Sequence, residues 1–191
     1  IMNFLPEVSV DLVVRPYVVD TSQYAHKIAH VNYKILEGGE YAILRQEYLS
    51  LPQREVRNNA NRILVTCGGS DARSDTLAIL SSLEMVEFLL NVKVVLGPLF
   101  EHRLCSLVEL FKTKSRHKIS VLKNPPSLMR EMLWCDLAIG SNGLTKYELA
   151  ATGTPSVLFS VDEYHNHATL EFSEKNTAID LGIGISKEKL A

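Results

Sequence analysis

From residue 62 onward, short apolar runs alternate with stretches whose apolar positions recur every three or four residues. RILVTCGG (62–69) is β-branched, apolar and closed by glycines, which predicts a buried strand. Residues 73–90 follow, with Ile79, Leu80, Leu83, Val86 and Leu90 at helical spacing. The alternation continues through VKVVLG (92–97), a helix near 100–113 and KISVL (118–122). In NPPSLMREML (124–133), Pro125 and Pro126 are placed to open a short helix. CDLAIG (135–140), a helix from about 143, PSVLF (155–159), a helix from about 164 and TAIDLG (177–182) complete the series. Almost wholly apolar strands separated by amphipathic helices predict a doubly wound α/β domain, a parallel sheet covered on both faces.

The first sixty residues keep a different rhythm. VDLVVRPYVV (10–19) reads as a strand and YAILRQEYL (41–49) as a helix. SLPQREVRNNAN (50–61) is polar, contains Pro52 and ends just before the first strong strand, as a linker would. The predicted organisation is a remnant of a preceding α/β domain over 1–49, a linker over 50–61 and a ligand-binding domain over 62–191. The chain begins with Ile and stops shortly after a turn, which suggests a piece cut at both ends.

Composition narrows the function classes. Apolar residues make up 46% and charged residues 22% of the 191, enough for a proper core. A formal net charge of −2 advertises no polyanionic partner, so no nucleic acid is expected. Cys67, Cys105 and Cys135 are odd in number and lack any CxxC spacing, which fits a reducing, cytoplasmic setting. No apolar run is long enough to span a bilayer, and no secretion signal is visible.

Ligands of open α/β sheets bind beyond the carboxyl ends of the strands, and three loops there carry suggestive chemistry. In CGGSD (67–71), Gly68 and Gly69 permit a sharp turn and close approach of a ligand, while Ser70 or Asp71 can cap the next helix. A plain strand-to-helix turn fits those residues equally well. The loop has neither the GxGxxG spacing of a dinucleotide site nor the GK[ST] of a P-loop. In GSNGLT (140–145), amides at a helix start could receive phosphates, with Ser141, Asn142, Gly143, Leu144 and Thr145 around them. Glu148 lies one turn along the same face, placed to accept hydrogen bonds from a ribose diol or merely to complement the helix dipole. DEYHNHAT (162–169) offers Asn166 and His167 as polar contacts. His165 and His167 lack a third ligand at metal-site spacing, so no metal and no cofactor is expected. Trp134 and Met129 suit core or pocket-wall positions, and Glu84 and Glu87 a solvated helix face. Ser70, His165 and Asp136 could form a triad on paper, but no GxSxG elbow accompanies them.

Together these segments resemble the C-terminal domain of nucleotide-sugar enzymes built from two facing Rossmann-like domains, the GT-B architecture. GSNGLTKYELAATGTPSVLF (140–159) is similar to the donor-binding stretch of the N-acetylglucosamine transferases of peptidoglycan synthesis. GGEYAILRQEY (38–48) and LVTCGGSD (64–71) look like segments of the UDP-sugar hydrolases of pseudaminic acid biosynthesis and their spore-coat polysaccharide relatives. The resemblance covers nearly the whole chain. It implies that Glu148 holds the nucleotide ribose, that Ser141 to Thr145 meet the diphosphate, and that Asn166 lies near the nucleotide. His167 stands where that family commonly has glutamine. Asn124, Leu128 and Met129 would line the base pocket.

The hydrolases activate water with a histidine in an N-terminal Gly-x-Gly-His loop, and nothing here matches it; His26 and His30 lie in a segment without glycines. The catalytic base is therefore expected outside this chain, in the facing N-terminal domain, and the chain alone should bind a UDP-sugar or UDP without turning it over. Three functions stay open: the nucleotide grip of a UDP-sugar hydrolase, that of a glycosyltransferase, or a noncatalytic nucleotide-sugar-binding module.

Overall fold

The computed structural model describes residues 11–15 and 34–185. The chain divides into two compact units, Ile1–Ile43 and Leu44–Ala191. In the first, β1 (Leu12–Arg15) pairs in parallel with β2 (Lys34–Glu37), and a single 3-10 turn, Gly39–Tyr41, follows. Residues 16–33, including His26 and His30, lie outside the described residues.

The second unit holds the predicted alternation. Its strands are β3 (Arg62–Thr66), β4 (Asn91–Leu96), β5 (Lys118–Lys123), β6 (Leu137–Ser141), β7 (Ser156–Ser160) and β8 (Ile179–Ile183). Its helices are α1 (Asp75–Leu83), α2 (His102–Lys114), α3 (Met129–Trp134), α4 (Thr145–Ala151) and α5 (Glu163–Glu174). All six strands are parallel, in the order β5-β4-β3-β6-β7-β8. The first strand in sequence is thus central, with the chain winding away to one side and then to the other. The topological switch falls between β3 and β6.

Burial explains why the strands are apolar throughout. Ile63 and Val65 join Ile79, Leu80, Leu83, Leu104 and Val108 of α1 and α2 in one core cluster. Leu64 lies between them in the strand, so it faces the other side of the sheet, and it too is fully buried. α3 packs against β3. Both faces are covered.

Three expectations need correction. Residues 41–49 form no α-helix; after the turn at Gly39–Tyr41 only a second 3-10 turn appears, Gln46–Leu49. Tyr48, buried in that turn, has its partners far along the chain, so tertiary contacts override the local helical pattern. The helix expected over 73–90 stops at Leu83. There the His117 ring takes the Leu83 carbonyl through Nε2 at 2.7 Å and receives the Leu90 amide on Nδ1 at 3.3 Å, bracketing a turn that ends the helix. Glu84 is accordingly not a solvated face residue: its carboxylate accepts from the Ser115 hydroxyl and the Arg116 amide. Finally, the short helix after Pro125 and Pro126 begins only at Met129, where the Ser127 hydroxyl accepts the Met129 amide at 3.1 Å.

Candidate functional site

The loops after β3 and β6 flank the switch point, and they meet. A Cβ on Gly68 would lie 3.5 Å from the Ser141 hydroxyl, and Gly68 has φ +74, a conformation that favours glycine. Gly97, after β4, supports the first loop from beneath: a Cβ there would fall 2.5 Å from the carbonyl oxygens of both Gly68 and Gly69. Gly69 and Gly143 face open space. Two backbone segments are therefore exposed side by side at the carboxyl end of the sheet.

Within the first loop, Asp71 is spent on structure. Its two carboxylate oxygens accept the amides of Asp75 at 2.8 Å and Thr76 at 3.0 Å, capping α1. Ser70 is exposed. Arg73, which the sequence reading passed over, reaches from this loop to donate to the Val161 carbonyl at 3.0 Å, beyond the end of β7. Its guanidinium also lies where a Cβ on Gly184, after β8, would meet it at 2.5 Å. A half-exposed cation thus links the carboxyl ends of β3, β7 and β8.

In the second loop, Asn142 is buried and ties the turn to α5 through a 2.6 Å bond from Nδ2 to the His165 carbonyl. Its Oδ1 is buried without a partner, and so is Oδ1 of Asn166 in the first turn of α5. Such orphaned acceptors are rare in folded proteins and call for an explanation. Leu144 is exposed and Thr145 opens α4, which is only seven residues long, so its dipole is weak. His167 is exposed. His165 pairs with Asp162, the α5 cap, at 2.7 Å. Among the described residues no group of three His, Cys, Asp or Glu side chains is placed to hold a metal.

Glu148, in the first turn of α4, is half-buried. Burial pushes its carboxyl above the usual carboxylate range, against the opposing pull of the Tyr48 hydroxyl and the Arg45 guanidinium. Burial, and after it the charge of Glu148, raises the Tyr48 phenol in turn. The phenol oxygen also lies 3.9 Å from Met132 Sδ in α3. The segment that carries Tyr48 grips the stretch after β5: Arg45 donates to the Pro126 carbonyl, and Glu47 accepts from Ser127 at 2.6 Å. Asn124 is exposed at φ +43, while Leu128 and Met129 are half-buried. The turn at 45–48 is thus tied to the 126–132 segment. Helical periodicity could not reveal this; the pairings span about eighty residues.

The opposite edge of the sheet is differently employed. Asp136 precedes β6, takes Arg57 at 2.8 Å and accepts the amides of Asn61 at 3.0 Å and Arg62 at 2.8 Å. Ser70 follows β3 at the carboxyl end, a strand length away, so the paper triad with Asp136 cannot assemble. Arg54 reaches the carbonyls of Met132 and Cys135 and the Thr154 hydroxyl, fastening the polar 50–61 stretch to the sheet unit. Trp134 carries Lys93 4.1 Å from its ring centroid, at the rim rather than in the core. The three cysteines are free thiols, and burial pushes Cys135 up to about 11.

This is a Rossmann-like α/β unit, and its fold is shared with solved structures of GT-B type. It superposes on MurG of Acinetobacter baumannii with a TM-score of 0.67 at 18% identity, over 94% of this chain and 55% of that one. On the GtfA/B complex the TM-score is 0.51 at 14% identity, over 87% and 38%. No family model matches the sequence. Among curated proteins it is 31% identical over 143 residues to the uncharacterized protein MJ1062 of Methanocaldococcus jannaschii, over 72% of this chain and 29% of that protein. It is 26% identical over 156 residues to the spore coat polysaccharide biosynthesis protein SpsG of Bacillus subtilis, over 80% and 45%. The chain spans less than half the length of either relative. Among the described residues, no helix is long and apolar enough to cross a membrane.

Proposed function

We propose that this chain is the nucleotide-sugar-binding part of an enzyme of surface-polysaccharide biosynthesis, with a UDP-sugar as ligand. The observation that carries the proposal is Glu148. A carboxylate kept half-buried at the switch point, against the resistance of its own desolvation, serves the fold poorly and a ligand well. In this reading Glu148 accepts hydrogen bonds from the ribose diol. The exposed backbone at Gly68–Ser70 and Ser141–Thr145 meets the diphosphate, and Arg73 supplies the positive charge that a two-turn α4 cannot. Asn142 and Asn166 turn their unpartnered oxygens to ligand donors or ordered water. Asn124, Leu128 and Met129 border the base, and Asp71 shapes its loop as a cap.

Support for the sugar comes from the relatives: SpsG is named for spore-coat polysaccharide biosynthesis, and the fold is shared with MurG. The chemistry then follows from geometry. A unit that holds a diphosphate stabilises negative charge on the leaving group as the bond to the sugar's anomeric carbon breaks. The attacking group, an acceptor hydroxyl in a glycosyltransferase or water in a UDP-sugar hydrolase, comes from elsewhere, as does the base that deprotonates it. The GT-B likeness favours the transferase; the resemblance of EYAILR and GGSD favours the hydrolase. No described residue of this chain takes the base's role.

Thermal shift with UDP, GDP and CMP tests the shared claim. UDP is expected to raise the melting temperature, because a ligand that binds only the folded state stabilises it by mass action. Absence of any shift with all three at millimolar concentration sinks the proposal. If UDP binds, incubation of the protein with a UDP-sugar, with and without an acceptor lipid or saccharide, separates the chemistries: UDP release in water alone marks a hydrolase.

A further inference from the structure

The amino end of the sheet carries a feature that neither the core nor the proposed ligand site explains. Helix α1 stops at Leu83, and the chain comes back at Leu90 to enter β4. The His117 ring holds both ends, the Leu83 carbonyl at 2.7 Å and the Leu90 amide at 3.3 Å, so residues 84–89 are pinched at their base into a knuckle. Val86 packs against the core, while Met85, Phe88 and Leu89 are 61%, 60% and 66% exposed. Large apolar side chains held together in water are unfavourable, and patches of this kind mark interaction sites.

Positive charge rims the knuckle. KSRHK (114–118) runs from the last residue of α2 to the first of β5 and exposes Lys114, Arg116 and Lys118. It is bonded directly to the turn. The Ser115 hydroxyl and the Arg116 amide donate to the Glu84 carboxylate, and the Arg116 guanidinium donates to the Glu87 carbonyl. Glu84 is thus turned back onto its neighbour, and Glu87 is the exposed acid of the turn against those three cations.

We propose that this knuckle is a membrane-docking tip: Met85, Phe88 and Leu89 enter the interface of a bilayer while Lys114, Arg116 and Lys118 meet anionic headgroups. Charge and size select that occupant. An apolar tip inside a basic rim matches the boundary between acyl chains and anionic headgroups, where apolar burial and electrostatic attraction add. A protein partner or a second copy needs about 800 Å² from each side, and three apolar side chains on one turn fall well short of it. The tip is also fixed in advance by His117, Ser115 and Arg116, so docking orders little that is not already ordered. Docked in this way, the loops after β3 and β6, at the other end of the strands, still face the solution. The inference does not depend on whether a nucleotide binds there.

The test is co-sedimentation with vesicles of phosphatidylcholine, alone or with about one-third phosphatidylglycerol. The protein is expected to sediment with the anionic vesicles, to be released as salt rises, and to stay in solution with phosphatidylcholine alone. Phe88→Ser with Leu89→Ser should lower partitioning roughly tenfold. Lys114→Gln and Lys118→Gln should lower it by roughly fivefold each. All four side chains are exposed, so the circular dichroism of these variants should match the parent. Phe88→Trp gives a reading that needs no loss of binding: brominated acyl chains should quench it beyond the parent, whose sole tryptophan is Trp134. A parent protein that ignores anionic vesicles overturns the proposal. So does binding that survives the Phe88 and Leu89 substitutions, or a Phe88→Trp protein that binds without added quenching, since the contact is then charge alone. A dimer that forms without vesicles and is abolished by the same two substitutions assigns the patch to a second copy, and this too overturns it.

Discussion

The two edges of the parallel sheet use their polar groups differently. At the amino edge, capacity is spent: Asp136 receives a guanidinium and two amides, and both nitrogens of the buried His117 are engaged. At the carboxyl edge some groups cap helices, as Asp71 does, yet others are left in deficit. Asn142 and Asn166 each bury an oxygen without a partner, and Glu148 is held where ionisation is resisted. Buried polar groups cost stability unless paired, so the two edges differ in how far the fold satisfies itself. In the proposed function, one edge serves stability and the other binding.

The comparison is most sharply tested by Asp136→Ala. It leaves Arg57 with only Glu55 at 3.5 Å and the Trp134 carbonyl at 3.3 Å, strands the amides of Asn61 and Arg62, and is expected to cost about 3–5 kcal/mol in urea unfolding, as for a broken buried pair. The variant that remains folded should bind UDP as the parent does; weakened binding would show that the edges are not separate in role. Next comes Glu148→Ala, expected to reduce UDP affinity by about 1.5–3 kcal/mol by calorimetry, the value of a hydrogen bond to a charged group. Normal binding would reduce Glu148 to a helix-dipole partner.

Gly97→Ala probes the ledge beneath the glycine loop. Its methyl meets two carbonyl oxygens at 2.5 Å, so a loss of about 1–3 kcal/mol is expected, with displaced amide resonances at Gly68 and Gly69. Unmoved resonances would show that the loop does not depend on that support. The smallest effect concerns pH. Because the folded state raises the Glu148 pKa, its ionised form opposes folding above the raised value, and the penalty fades as pH falls through it. Glu148→Gln should therefore melt slightly higher than the parent at pH 8, with the gap closing as the pH falls through the raised value. A gap that widens in acid would contradict the sign.

How much of this could be read from the sequence follows from the range of each interaction. The four central strands, β4, β3, β6 and β7, were legible because both of their faces are largely buried, and residues such as Leu64 and Val65 leave no polar alternation to confuse the pattern. The end of α1 was not, because Val86 and Leu90 continue the helical spacing while the stop is imposed by His117. The turns after β3 and β6, which carry Gly68 and lead from Ser141 to Glu148 in α4, were visible as strand-to-helix turns. Arg73, Tyr48 and Arg54 were not, since each acts on residues some 80 to 100 positions away. Arginines spaced three apart in an otherwise polar stretch, just before a central strand, were the one available signal for Arg54 and Arg57.

Arg54 has a practical consequence for modular use of this fold. Its side chain binds two carbonyls around α3 and the threonine that follows α4, so the sheet unit begins structurally at Leu44, well before its first strand. A chimera spliced at Arg62 would import the strands without their buckle, and would leave Met132 without the phenol that donates to it. A portable cassette therefore begins no later than Leu44.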